Sequence, residues 1–226
     1  MNSFKILPIT VLCSAALISS QAPAGEDSGF ADELESIQLE FDAASFSGLE
    51  KKDRRAAFEA LVEHAADFSN RNPGRVEAVA WNGIVLSTFA GEVSALGAMK
   101  YAKAARDALH EAESMQPTAL DGGLYASLGA LYTKVPGGLM GFGDDDLAAE
   151  YFEKALEVDT DNIDSNYFYG EFLIEQEQYE RAVQVLNRAL DAPRVAARPL
   201  FDSGRREEIR ELLAVAGSHV ELTASN

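Results

Sequence analysis

Cysteine is almost absent from this 226-residue chain, and basic residues are scarce. The single cysteine, Cys13, falls in a stretch that reads as a separate object. Lys5 gives that stretch a short positive start. Residues 6–19 form an apolar run too short to span a bilayer comfortably, and Ala22-Pro23-Ala24 supplies the small-x-small pattern of a cleavage site. Residues 1–24 are therefore expected to be a signal peptide cut near Ala24, with a periplasmic or secreted destination. Thr10-Val11-Leu12 makes a poor lipoprotein box, which argues against lipid attachment at Cys13. The mature chain then holds no cysteine, which excludes disulfide and thiol chemistry and suits an oxidising compartment.

Acidic residues number 37 against 19 basic, and the formal charge is −18. Such a surface repels nucleic acid and anionic lipid headgroups, so both are discarded as partners. No apolar run after the leader is long enough to span a membrane. Histidine is equally sparse. His64, His110 and His219 occur singly, without a second ligand one helical turn away. No Gly-x-Ser-x-Gly elbow and no Ser-His-Asp or Cys-His arrangement can be argued. The chain is read as a non-enzyme with no cofactor and no metal.

Two acidic stretches have simpler readings than metal sites. Asp144-Asp145-Asp146 stands where a helix begins, where carboxylates cap free amides and complement the helix dipole. Asp159, Asp161 and Asp164 lack the Gly and the distal bidentate Glu of a calcium loop. The Gly137 to Gly143 stretch lacks the Lys and Ser/Thr of a phosphate loop.

What is present is helical periodicity. Leu34, Ile37, Phe41 and Ala44 recur at three-to-four spacing, as do Phe58, Leu61, Ala65 and Phe68. Asn72-Pro73-Gly74 breaks the chain. The next segment carries Val76, Val79, Trp81, Ile84, Val85 and Phe89 and is apolar on nearly every side, the mark of an inner helix. A helix is expected from about Val93 to Met115, ended by Pro117. Thr118-x-x-Asp121 reads as a capping box for the helix after it. Further helices follow around Tyr151, beyond the turn at Asp159, and from Gln178. Pro193 and Pro199 forbid a helix between them and favour an extended strap. A last amphipathic helix with Ile209, Leu212, Leu213 and Ala216 then caps the stack.

A repeat runs through the second half. Tyr125-x-x-Leu128-Gly129-x-x-Tyr132 is followed by Ala148, Phe152 and Ala155. The same order returns as Tyr169-Gly170-x-x-Leu173, Ala182, Leu186 and Ala189. An earlier unit keeps Gly83, Ala105, Leu109, Ala112 and Pro117. These residues resemble the tetratricopeptide repeat, clearly over residues 120–190, more weakly over 75–118, and least over 30–72. The second unit departs from the pattern at Asn166, where an aromatic belongs, and the first is interrupted by the insertion at residues 135–143. The insertions and the long helix before Pro117 also resemble the helical T component of TRAP-type transporters.

The resemblance implies an all-α, right-handed superhelix of stacked antiparallel helix pairs with a C-terminal capping helix. The expected organisation is a leader at 1–24, a short flexible N-terminus at 25–29, one repeat domain at 30–217 with strap and cap at 191–217, and a tail at 218–226. By register, the first helix of each pair would present Glu77, Ala80, Ile84 and Ser87, then Ala126, Ala130 and Thr133, then Asp164, Tyr167, Glu171 and Ile174 to a concave groove. No basic residue holds these positions, which argues against a carboxylate clamp. Pro136, Leu139, Met140 and Phe142 form a candidate lid, either packed on the helices or gating a ligand. The expected function is an exported scaffold binding a protein or peptide partner in the cell envelope. The alternative is a small-molecule-binding accessory of a periplasmic transport system, which requires a closed cavity lined by apolar residues under the 135–143 loop.

Overall fold

A computed structural model describes residues 24–224. The proposed leader and Cys13 lie outside the described residues, apart from Ala24. The described chain is all-α, with no strand in it. In order the helices are α1 (Ala24–Phe46), α2 (Lys51–Arg71), α3 (Val76–Glu92), α4 (Ala95–Met115), α5 (Gly123–Lys134), α6 (Asp145–Val158), α7 (Ile163–Glu175), α8 (Tyr179–Asp191) and α9 (Pro199–Ala224). Residues 25–29, expected as a flexible lead-in, are the first turns of α1, and α9 runs on through most of the expected tail.

Three pairs, α3/α4, α5/α6 and α7/α8, are built on one contact. A Cβ on Gly83 would stand 2.8 Å from the Leu109 side chain. One on Gly129 would stand 2.8 Å from the Phe152 ring, and one on Gly170 would stand 2.5 Å from Leu186. Each first helix thus offers a bare backbone to a large apolar side chain of the second, as the sequence register requires. Between layers α5 packs on α7, and on its other side it meets both α4 and α3. Helix α3 is the inner helix expected of its composition. Val76, Val79 and Ala80 join the core shared with α4 to α9, while Ala78, Trp81, Val85 and Phe89 join a second core with α1 and α2.

The joint before α5 differs from the expected capping box. Thr118 makes no cap. Instead, Leu120, Asp121 and Gly122 all take positive φ, and Gly122 is the N-cap. A Cβ on Gly122 would stand 2.6 Å from the Ala155 carbonyl oxygen, so this turn is pressed onto α6 and leaves no room for an ordinary cap. Asn166, the departure from the repeat pattern, is fully buried and donates to the carbonyls of Thr160 and Asn162, which ties down the α6–α7 turn.

The strap decides the overall shape. Arg206 of α9 donates to the carbonyls of Leu190, Ala192 and Pro193, so it satisfies the open C-terminal end of α8 and fixes the chain just beyond it. Its Nε and the Val195 amide both donate to Asp202. Burial would push the Asp202 carboxyl up, but Arg194, the Val195 amide and Arg206 outweigh it and hold it below the ordinary range. The strap then reaches back to the first helix. Arg198 forks onto Asp42 of α1, and Phe46 packs edge-on against Phe201 with ring centroids 6.0 Å apart. The two ends of the stack meet.

Candidate functional site

Because α1 touches α9, the concave face is walled into a partly open cavity of about 670 Å3. Phe41, Trp81, Ile84, Met99, Leu131 and Phe168 supply its apolar wall. Ser127 and Ala130 of α5 run along its floor between Gly123 and Lys134, which both reach it. At 1.5 Å per residue, that span of α5 makes the cavity roughly 16 Å long.

Of the positions assigned by register, Ile84, Ser87, Ala130 and Asp164 line the cavity. Ala80 and Ala126 are sealed into the core at 0% and 1% exposure. Thr133 spends its hydroxyl on the Gly129 carbonyl, and Ile174 packs against the core. Glu77 sits at the far end of α3, 3.8 Å from Arg75. Glu171 pairs with Lys134 at 3.0 Å, and the Arg205 guanidinium stands over the Tyr167 ring, 4.0 Å from its centroid. The register is right for the helices, but the cap helix covers part of the face it exposes.

The 135–143 loop folds on itself. The Gly143 amide donates to Pro136 and the Asp144 amide to Tyr132. Only its root, Val135 and Pro136, reaches the cavity. Phe142 packs on the helices, half-buried against the core, edge-on to Tyr132 and under the Arg106 guanidinium. Leu139 and Met140 point into solvent, at 108% and 78% exposure. They neither pack on the helices nor cover the cavity.

The cations at this site come from positions the repeat register does not assign. Lys134 ends α5, Arg198 belongs to the strap and Arg205 to α9, and all three line the cavity. Arg205 donates through Nε to Asp164 at 2.7 Å and through Nη1 to Glu208. Burial opposes its charge, but the two carboxylates outweigh that and hold it protonated. Burial also pushes the Glu208 carboxyl above its ordinary range, against the pull of Arg205. For Lys134, burial again opposes the charge, and Glu175 and Glu171 more than restore it. The sequence signal was present in Arg198, Arg205 and Arg206, basic residues clustered in a chain that has few. A helix read as a cap gave no reason to aim them inward.

The acidic stretches and the histidines have local duties. Asp144 caps α6 by accepting from the Leu147 amide. Asp159 accepts from the Asp161 amide, and Asp164 holds Arg205. His64 bridges Glu33 and Glu40 of α1, His110 joins Glu113 to the Tyr132 hydroxyl, and His219 stacks on Tyr179. Among the described residues no group of three or more His, Cys, Asp or Glu could hold a metal ion.

Repeated helix pairs wrapped around a cavity define a helical-repeat binding scaffold. Residues 139–199 match the family model described as Tetratricopeptide repeat, and the Gly83, Gly129 and Gly170 contacts are the close helix-pair packing that such repeats use. The crystal structure of MamA is similar over 78% of this chain and 96% of that one, at 15% identity and a TM-score of 0.40, too distant to bear on what is bound. Among curated proteins none matches. Neither match extends to the T component of TRAP-type transporters. Tetratricopeptide repeats are in general non-enzymatic scaffolds that bind protein partners. No helix among the described residues is long and apolar enough to cross a membrane.

Proposed function

We propose that this chain is an exported binding scaffold whose receptor site is the concave cavity, and that the occupant is a small, elongated, mostly apolar molecule. The observation that carries this reading is the size and apolar lining of the cavity. At about 670 Å3 the cavity falls within the range of small-molecule sites, with an apolar wall and a few polar groups. The cavity's size and apolar lining favour the small-molecule accessory role over a peptide groove.

The test is titration of the purified mature chain with N-phenylnaphthylamine, an uncharged apolar probe whose emission rises on leaving water. One saturable site, lost in Ala130→Phe and kept in Leu139→Glu, supports the reading. Unsaturable binding, or binding indifferent to Ala130→Phe, rejects it.

A second reading is favoured by the solvent-facing pair Leu139 and Met140. Apolar side chains held out on a self-bonded loop suit a protein partner in the envelope, which is also the general habit of the family. The two roles use different surfaces. Pull-down from envelope extracts with wild type and with Leu139→Glu/Met140→Glu separates them, because only the loop-borne role is lost in the double variant.

A further inference from the structure

We infer that the molecule held in the cavity carries a carboxylate at one end, seated on Arg198 and Arg205. This rests on the reading of the cavity as a small-molecule site and adds the chemistry of its ligand.

Charge points the same way. The chain as a whole is at −18, yet three cations face the cavity, Lys134, Arg198 and Arg205, against two carboxylates, Asp121 and Asp164. Lys134 is taken up by Glu171 and Glu175, so Arg198 and Arg205 are the cations that carry the inference. Asp42 and Glu208, the other partners of the two arginines, stand outside the wall and hold the guanidinium groups from behind.

Geometry sharpens this. Arg198 spends Nε and Nη2 on Asp42, and Arg205 spends Nε and Nη1 on Asp164 and Glu208. Nη1 of Arg198 and Nη2 of Arg205 bond to none of the described residues, and neither is among the polar atoms sealed away from solvent. Two fixed guanidinium groups therefore each keep donors free on the wall of an apolar chamber. They flank one ring. Their central carbons lie 4.4 and 5.8 Å from the Phe201 centroid, so at most about 10 Å separates them. A carboxylate has two acceptor oxygens and suits such donors. The planar fork of arginine, already oriented by its other partners, binds it at little cost in order. The rest of the wall, Trp81, Ile84, Met99 and Leu131 among it, offers apolar contact for the body of the molecule.

The experiment is displacement of N-phenylnaphthylamine from the full mature chain by decanoate and by decanol, which differ only in the head group. Decanoate is expected to displace the probe at a concentration at least about tenfold lower, the worth of a charge-assisted hydrogen bond. The double variant Asp42→Asn/Arg198→Gln exchanges the ion pair for amides without leaving a buried charge alone. In it, the gap should shrink severalfold while decanol binds as before. Equal displacement by both ligands on the wild type overturns the carboxylate inference and leaves the cavity reading intact. If the probe itself does not bind, the cavity reading falls and the inference with it. An apolar pentapeptide with a free C-terminus is the third arm. If it displaces the probe at a lower concentration than decanoate, and its amidated form does not, the occupant is a peptide terminus and the small-molecule assignment is overturned.

Discussion

Asp42 in the first helix receives two donors of Arg198, 156 residues further along the chain. Asp42 is 1% exposed, so its carboxylate is buried and depends on Arg198, whose guanidinium also reaches the cavity. Breaking a buried pair by removing one partner typically costs about 3–5 kcal/mol, because the other charge is stranded. Asp42→Ala is expected to lower stability by about 3 kcal/mol at least, measured by urea unfolding. The double variant Asp42→Asn/Arg198→Gln should recover most of that loss.

Gly129 is the site where α5 admits the Phe152 ring. Gly129→Leu forces that ring off its rotamer or the helices apart, an overpacking cost of about 1–3 kcal/mol or more. For a chain of this size, each kcal/mol lowers Tm by roughly 2–4 °C. Gly74→Ala, with nothing within 4 Å of its added carbon, is the control and should leave Tm nearly unchanged. Equal melting of Gly129→Leu and wild type would contradict the packing described for the pairs.

These glycine contacts show how much of the fold was legible in advance. Gly83, Gly129 and Gly170 stand at fixed offsets from Leu109, Phe152 and Leu186, so the pairing of helices follows from local spacing. The turn at Leu120 to Gly122 was not legible, because its left-handed backbone is imposed by contact with Ala155, a tertiary effect. The site was half legible. Ile84, Ser87, Ala130 and Asp164 follow from register, whereas Arg198 and Arg205 reach the cavity only because the strap folds back to α1. No local pattern records a contact between residues 156 positions apart.

His64 gives the N-terminal helix a pH dependence. Burial opposes its charge, but Glu40 and Glu33 outweigh that and raise its pKa above the ordinary value. Arg71, and to a lesser extent His64, hold Glu33 below its own ordinary range. A histidine with a raised folded pKa contributes stability that is complete below the unfolded value, about 6.5, and is lost as pH rises through the folded value. The stability difference between wild type and His64→Gln is therefore expected to be larger at about pH 5.5 than at about pH 8. Urea midpoints at both pH values check it. A difference that grows with pH would reverse the assigned sign.

Leu139 and Met140 bury nothing in the fold, so charging them should not disturb it. Leu139→Glu/Met140→Glu is expected to change stability by no more than about 0.5 kcal/mol. Retained Tm with lost capture of an envelope protein would assign the loop to partner binding.

Trp81 is the only tryptophan in the chain and stands on the cavity wall, so it reports on occupancy without any label. The most direct measurement is quenching of its emission by a bromine-substituted decanoate. Saturable quenching at one molecule per chain is expected, weakened at least severalfold in Ala130→Phe. Quenching that rises linearly without saturation, or that is the same in Ala130→Phe, would contradict a ligand site walled by the repeats and their strap.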